Sequence, residues 1–315
     1  MVANTSRVLD SVVIGEETVA PGTEAGSYNV TVFGDIINCN LKTAENNKVL
    51  GGIQGGSTAG HLPSKIVNLK VTPSGSITFH PHSLEFYKYV ISDYSSGGGT
   101  YTMNNNSADL PTSLSIKGNY NNTDGVKHFG CYLNNLRMSL TDDNIVTYSA
   151  DIVSLYSTTF SGVVSYTAPS GSPLTYVHGV FTFGGNEWDL QTFNNTYNCR
   201  FTQKWGINTK STNKKRYPSS IYRGGKASIS FDGIANVEDI SDELEAMQGG
   251  TAYVADSKSN SSVVLTFTDD SADTHVITIT GQVNETEVLQ TDSDENSKTI
   301  SFKGDGIDFT VSGTN

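Results

Sequence analysis

The side chains best suited to chemistry in this sequence are a histidine pair and three short acidic runs. His80 and His82 flank Pro81 and would place two imidazoles at one end of a strand. Zinc binding needs at least a third protein ligand, and the sequence offers none at a suitable spacing. We therefore predict a solvated strand end at this position and no metal site.

The acidic runs are better explained by turns than by metal binding or acid–base catalysis. Residues 292–296 begin like a calcium-binding loop, but Ser297 stands in place of the turn glycine and Lys303 in place of the bidentate glutamate. Asp269–Asp273 has the composition of a hairpin turn, and Asp142-Asp143 also fits a turn. None of the three runs predicts a catalytic carboxylate pair.

The sequence contains no recognisable catalytic or cofactor-binding motif. It has no GxSxG, HExxH or GxxxxGK[ST] pattern, and no GxGxxG that opens a helix. Cys39, Cys131 and Cys199 are widely spaced without a CxxC, so we expect buried thiols rather than disulfides or a zinc site. We predict that the protein is not an enzyme and that it uses no cofactor.

Charge is distributed unevenly along the chain, which has a net charge of −12. Residues 200–226 hold eight basic residues and no acid, whereas residues 227–315 hold three basic and seventeen acidic residues. Together with Trp205, Tyr217 and Tyr222 the basic segment could grip nucleic acid, but the overall acidity disfavours direct DNA binding. Contact with an acidic surface on a neighbouring copy is favoured over DNA binding, and solvated loops and hairpin tips explain the charge distribution at least as well.

The composition is typical of a β-rich protein. Hydrophobic residues make up 36% and charged residues 17% of the 315 residues, and runs of Val, Ile, Thr, Tyr and Phe recur. No stretch approaches the ~20 apolar residues of a membrane span, and the N-terminus does not resemble a secretion signal. We expect a soluble, non-exported protein that has no membrane partner.

Three local patterns predict how the chain is built. Residues 130–152 alternate apolar and polar side chains on both sides of a Thr141–Asn144 turn, which predicts a β-hairpin. From Leu84 to about Asp93 the apolar residues have helical spacing, with Ser83 as the N-cap. The glycine-bearing segment Lys42–His61 is predicted to be a long flexible loop.

The same order of features recurs about 155 residues later in the chain. Tandem duplication is the favoured explanation, and chance similarity between β-rich tetrads is the alternative. We predict two domains, residues 1–157 and 158–315. The matches are Ile37–Leu41 with Tyr197–Phe201, Pro63 with Pro218, Ile77–Phe79 with Ile229–Phe231, the first helix with a second at Val237–Met247, and Val146–Asp151 with Ile300–Asp305.

Two stretches also carry a family resemblance. One joins Gly130–Leu136, which leads into a strand, to the Thr-Tyr-Ser-Ala-Asp run of Thr147–Asp151. The other joins Tyr197–Trp205, a loop, and the strand segment Ile221–Phe231. In these stretches the sequence resembles the major tail tube proteins of tailed phages and related viruses. The resemblance implies a mainly β fold with two tandem tail-tube-like β-barrels or sandwiches, each with one short helix.

The resemblance also implies a function. It points to a structural virion protein whose stacked rings form the tail tube that conducts DNA into the host, located in the virion tail and, during assembly, in the host cytoplasm. Lys42–His61 and Asn208–Tyr217 would be the loops that reach the adjacent ring. Two domains per chain imply a homotrimer ring with pseudo-sixfold symmetry, stacked head to tail; if residues 160–315 formed an immunoglobulin-like module instead, the ring would be a hexamer.

The same resemblance names the partners, and two other functions stay open beside it. Other tail proteins would bind the tube, and double-stranded DNA would pass through its lumen without specific binding. Tyr- and Asn-rich loops also fit a β-sandwich adhesin or a carbohydrate-binding module of a tail or cell surface. A glycan hydrolase is the third hypothesis, although no carboxylate pair can be nominated for it.

Overall fold

The computed structural model describes residues 11–50, 65–107, 109–121, 123–141, 144–165, 167, 169, 171–206, 215–237, 260–291 and 298–314. Within these residues the chain is mainly β, as its composition predicts, with two short 3₁₀ helices at Glu85–Tyr89 and Tyr176–His178. The strands in chain order are β1 Ser11–Glu16, β2 Asp35–Leu50, β3 Lys65–His80, β4 Asp93–Gly97, β5 Thr100–Asn104, β6 Leu114–Asn121, β7 Asp124–Thr141, β8 Thr147–Val153, β9 Tyr156–Ser161, β10 Gly179–Phe183, β11 Asn186–Glu187, β12 Asp189–Asn198, β13 Phe201–Lys204, β14 Ser220–Arg223, β15 Ser228–Val237, β16 Ser261–Thr268, β17 Thr274–Thr291 and β18 Lys298–Thr314.

The first predicted hairpin is confirmed as the pair β7–β8. The two strands run antiparallel with Met138 opposite Tyr148. Met138 and Leu140 are buried, whereas Arg137 and Ser139 are exposed. Because successive side chains of a strand point to opposite faces, this alternation turns one face of the sheet to the core and leaves the other polar.

Most strands belong to one long antiparallel sheet. Its order is β11-β10-β16-β17-β18-β15-β12-β7-β8-β3-β2, and β4 and β5 attach to it through β18. A second layer, β1-β6-β7-β9, shares β7 with the long sheet. β13 and β14 form a separate two-stranded sheet.

β7 can serve both layers because it changes direction at Gly130. Gly130 has φ +59°, a backbone conformation that side chains disfavour. A Cβ atom at this position would lie 2.7 Å from Cδ1 of Leu155, the residue between β8 and β9. Glycine therefore allows the backbone to turn and lets Leu155 pack directly against it.

The buried residues form one core that includes both halves of the chain. Tyr87 packs against Phe309 with ring centroids 5.4 Å apart, and Tyr197 packs against the same ring at 5.1 Å. Two strand pairs also join the halves, β7 with β12 and β5 with β18. A boundary between residues 157 and 158 falls inside β9, which pairs with β7.

The predicted first helix is present but shorter than expected. It is a single 3₁₀ turn at Glu85–Tyr89, and Asp93 already begins β4. The turn is rich in aromatic residues, which have only modest helix propensity and here point into the core. Of the second predicted helix, Val237 is the last residue of β15, and residues 238–247 lie outside the described residues. Within the described part of the chain, no helix has the length and apolarity that a membrane crossing requires.

The predicted loop Lys42–His61 is wrong for its first half. Lys42–Leu50 continues β2 and pairs with β3, for example Lys42 opposite Ser74 and Leu50 opposite Lys65. The polar residues of this segment suit an exposed two-stranded ribbon, which sequence composition alone does not separate from a loop. Residues 51–61 lie outside the described residues.

Candidate assembly surface

Eight strands of the long sheet form two units with the same internal order. The first unit is β2-β3-β8-β7 and the second unit is β12-β15-β18-β17, each written in spatial order. In each unit the third and fourth strands in chain order exchange places in the spatial order. The two units lie side by side in the sheet, with β12 next to β7.

A β-bulge marks the same place in both units. In the first unit the register shifts between Asn134 and Arg137, and in the second it shifts between Val283 and Glu285. At the bulge, Asn135 Nδ2 donates to Asp151 Oδ2 at 3.1 Å in the first unit. In the second unit, Asn284 Nδ2 donates to Asp305 Oδ2 at 2.7 Å. An amide-to-carboxylate bond is therefore present at both bulges, although Asn284 aligns with Leu136 and not with Asn135.

The bulges fix which residues correspond. Asp151 and Asp305 occupy the same position, so their partners Ser76 and Ser230 correspond as well. The next strands then align Asn40 with Thr196.

For these strands, the residues matched by sequence similarity are not the residues that the strand pairing makes equivalent. Ile77 corresponds to Phe231 and not to the expected Ile229, a difference of two residues. Cys39 corresponds to Asn195, whereas Cys199 lies beyond the end of β12. Sequence similarity therefore found the repeat order but not the structural equivalence.

The units meet at an antiparallel junction inside the chain. β12 and β7 pair over six positions, from Thr192 opposite Thr141 to Tyr197 opposite Leu136. On the core side Phe193 is fully buried opposite Leu140. On the other side the polar pair Asn194–Ser139 faces outward.

The outer edges equivalent to this junction carry no strand among the described residues. Beyond the part of β17 that pairs with β16, Glu285, Thr286 and Glu287 are all exposed. Their counterparts in β7 include Met138, which is 2% exposed, lies in the core and has Asn195 of β12 opposite it. At the opposite end of the sheet β2 pairs only with β3 in the described part of the chain. Tyr120 Oη donates to the Leu41 carbonyl at 3.3 Å and limits the open part of that edge.

The face of the eight-strand sheet that points away from the core is mainly polar, although Ile307, two residues beyond Asp305 in β18, is 64% exposed there. One row of directly opposed residues crosses all eight strands without an apolar side chain. It consists of Gln282, Asp305, Ser230, Thr196, Arg137, Ser149, Thr78 and Asn38.

Acids outnumber bases on this face. In that row and the two rows beside it, the described charged side chains are five acids and two bases. Asn194 Nδ2 donates to Asp232 Oδ2 at 2.9 Å, and Arg137 Nη2 lies 3.9 Å from Asp151 Oδ2. Hydroxyls, amides and carboxylates thus cover the face. The charged residues are Asp35, Asp151, Asp232, Glu285, Asp305, Arg137 and Lys303.

The described part of the basic segment packs against its own chain. Arg216 Nη2 lies 3.3 Å from Glu45 Oε2, and the Arg216 carbonyl accepts the Val71 N–H at 2.9 Å. Trp205 Nε1 donates to the Val71 carbonyl at 3.4 Å, with Lys70 Nζ 5.0 Å from the centre of the Trp205 ring. Arg216 therefore already has an acidic partner on β2, and residues 207–214 lie outside the described residues.

The histidine pair is engaged at the sheet end. His80 Nδ1 lies 3.2 Å from the Val146 carbonyl, and His82 Nε2 lies 3.1 Å from Asp35 Oδ2. In the described ranges no group of three potential ligands is placed to hold a metal ion. The two imidazoles therefore take part in local hydrogen bonding and ion pairing.

The predicted turn at Asp269–Asp273 is confirmed. Asp269 Oδ1 accepts the backbone N–H groups of Ser271 and Asp273 at 2.9 Å each, between β16 and β17. The other two acidic runs, Asp142-Asp143 and residues 292–296, lie outside the described residues.

The three cysteines are buried thiols, as predicted. Burial raises the pKa of Cys39 and of Cys199 to about 12. Burial also raises the pKa of Cys131. Thiols held in the neutral form are poor nucleophiles and poor metal ligands.

A buried polar contact between the two halves was not foreseen. Tyr101 Oη lies 2.9 Å from His275 Nδ1, and His275 Nε2 lies 3.8 Å from Asp269 Oδ2. Burial lowers the pKa of His275 against the opposing charge of Asp269. The contact links β5 of the first half to β17 of the second, and nothing in the local sequence of either strand signals it.

A cleft lies beside β10 and β12. Its volume is about 720 Å³, and Tyr176, Val177, Trp188, Asp189 and Gln191 contribute to its lining. Tyr176 and Val177 are exposed, whereas Trp188 is 5% exposed and its Nε1 finds no hydrogen-bond partner among the described residues.

No family model matches this chain, and no curated protein matches it either.

Proposed function

We propose that this protein is a structural subunit that assembles edge to edge into closed rings, which stack into the tail tube of a virus. The observation that carries the proposal is the pair of equivalent four-strand units in one sheet, whose outer edges are unpaired among the described residues. Open edges are aggregation hazards in a protein that works alone, and ring closure removes them.

The two-unit repeat determines how many chains we expect in one ring. If both units derive from one duplicated tube domain, residues 1–157 and 158–315 each supply one of six equivalent positions. Three chains then complete a ring with pseudo-sixfold symmetry. The shared core between the halves is compatible with this division, because an in-chain junction is one of the six contacts and is expected to be tightly packed.

The polar face suits the wall of a DNA channel. Its many Ser, Thr and Asn side chains leave little apolar surface to retain a polymer, and its excess of carboxylates repels phosphate. Double-stranded DNA would therefore slide past this wall. In this proposal the protein resides in the virion tail after assembly in the host cytoplasm, where it contacts other copies of itself and other tail proteins.

Concentrated purified protein tests the proposal directly. We expect hollow tubes or rings by negative-stain electron microscopy, and no retention of double-stranded DNA by the assembled material at physiological salt. A protein that stays monomeric at every concentration would contradict the proposal. Tubes that bind DNA tightly would contradict the channel role while leaving the structural role in place.

A second candidate function rests on the cleft beside β10. Exposed Tyr176 together with Asp189 and Gln191 provides an aromatic surface and polar groups, a combination found in carbohydrate-binding sites. Glycan-array binding by a monomer, lost in Tyr176→Ala, would favour an adhesin or carbohydrate-binding module over the tube.

A further inference from the structure

We propose that β2 of one copy pairs antiparallel with β17 of the next copy, in the register that β12 and β7 use inside the chain. This inference rests on the proposed ring, because it names the edges that would meet in it. It is more specific than the ring itself, since it states which residue faces which.

The in-chain junction supplies the register. Asn194 faces Ser139 and Thr196 faces Arg137 in the pair β12–β7. The bulge alignment gives each β12 residue a counterpart in β2 and each β7 residue a counterpart in β17. The corresponding pairs between copies are Asn38 with Glu287, Cys39 with Thr286, and Asn40 with Glu285.

The paired side chains are chemically complementary. Asn38 and Asn40 would each face a carboxylate, and this sheet already uses amide-to-carboxylate bonds between directly opposed strands. Asn194 and Asp232 are register partners whose side chains are bonded at 2.9 Å. Opposed polar pairs across two strands stabilise a sheet.

The charges also select between possible edge contacts. Two β17 edges brought together would place Glu285 and Glu287 of one copy against those of the other, and like charges directly opposite are destabilising. The β2 edge has the neutral residues Asn38, Cys39 and Asn40 at the contact. The favoured contact is therefore between unlike edges, which is the geometry that produces rings or filaments.

The core side of the two edges fits the same contact. Thr286 is exposed although its in-chain counterpart Met138 is buried under β12. Ile36, the counterpart of the buried Phe193, is only partly buried. A neighbouring strand would cover both residues, as β12 and β7 cover their counterparts.

Cysteine cross-linking tests the register. In the variant Asn40→Cys with Glu285→Cys, mild oxidation of the assembled protein should give covalent trimers on a non-reducing gel, and reductant should return them to monomers. The native thiols are buried and do not compete. The matched control is Asn38→Cys with Glu285→Cys, which places the thiols on a diagonal about 7–8 Å apart, beyond the reach of a disulfide.

Each outcome decides a different point. Rings that form without a cross-link in the first variant, or that cross-link equally well in the control, would overturn the register and leave the ring intact. Absence of self-association in the unmodified protein at every concentration would overturn both this inference and the proposed function. A cross-link confined to the first variant would support the register.

Discussion

The first unit, β2-β3-β8-β7, and the second unit, β12-β15-β18-β17, share strand order and bulge position but differ at one edge. In the first unit β12 covers the outer edge of β7, and Met138 is buried there. In the second unit the equivalent edge of β17 leaves Thr286 exposed. Among the described residues, this edge is covered in one unit and uncovered in the other, and it is where we propose that a further copy binds.

The units also differ in the strand that comes last in the chain, which is β8 in the first unit and β18 in the second. The first unit is interrupted at Ser154 and Leu155, which separate β8 from β9, whereas β18 runs unbroken through the equivalent region. Gly130 permits this interruption because it leaves room for the Leu155 side chain. The repeat therefore retains the strand order and the bulge position but not the strand break after β8.

The largest expected effect comes from removing a buried side chain at the junction of β7 and β12. Phe193→Ala removes a fully buried ring that packs 5.6 Å from Phe181, and should lower the free energy of unfolding by about 3–5 kcal/mol. The comparison change Ile37→Ala, at the bulge of β2 next to the counterpart Ile36, removes a side chain that is 53% exposed, and should change monomer stability by about 0.5 kcal/mol or less. Urea unfolding of dilute monomer measures both, and equal losses would contradict the assignment of covered and open edges.

Acid should destabilise the monomer through its buried histidines. Burial lowers the pKa of His128 to about 3, so only the unfolded chain takes up its proton at mildly acidic pH. The contribution of neutral His128 to the free energy of unfolding is fully present above about pH 6.5. Below that pH it falls by about 1.4 kcal/mol per pH unit. The lowered pKa of His275 acts in the same direction. Unfolding free energies at pH 7.5, 6.0 and 5.0 should show the decline.

A histidine variant separates the contributions of the two halves. His128 hydrogen-bonds Ser154 within the first half, whereas His275 joins the halves through Tyr101. His128→Gln should flatten the acid slope and leave the part due to His275. An unchanged slope would show that other groups control the acid response.

Gly130→Ala tests the kink that distinguishes the first unit. A Cβ atom in the left-handed conformation would clash with Leu155, so we expect a loss of about 1–3 kcal/mol. Thr278→Ala is the control at the equivalent position of β17, where it should change stability by about 0.5 kcal/mol or less. Thermal unfolding of both variants provides the comparison, and a neutral Gly130→Ala would contradict the role of the kink.

The smallest effect concerns the bulge bonds. Asn135→Ala removes a part-buried bond to Asp151 and should cost about 1 kcal/mol, whereas Asn284→Ala removes an exposed bond to Asp305 and should cost less. A larger loss for Asn284→Ala in the monomer would contradict the exposed position of the second bulge.

Local pattern predicted the elements but not their long-range partners. The hairpin β7–β8 follows from short-range alternation around one turn, and the turn at Asp269 follows from its residue types. The pairing of Asn104 with Thr310 joins strands about two hundred residues apart, and neither strand's composition specifies its neighbour. The polar row is likewise visible only once eight strands are in register.

Two incorrect expectations have separate physical origins. Lys42–Leu50 looks like a loop because its residues are polar, yet a ribbon exposed on both faces has the same composition, and hydrophobic pattern does not specify such a strand. Cys39 and Cys199 look equivalent because their neighbours are similar, yet the strand pairing aligns Cys39 with Asn195.

The central claim, that the two units occupy equivalent positions in a closed ring, is tested most directly by the mass of that ring. Native mass spectrometry of isolated rings should give three chains of 33.8 kDa each. Class averages of the same rings by electron microscopy should show six similar lobes. Rings of six chains would contradict the equivalence of the units, and a protein that yields only monomers would contradict the ring.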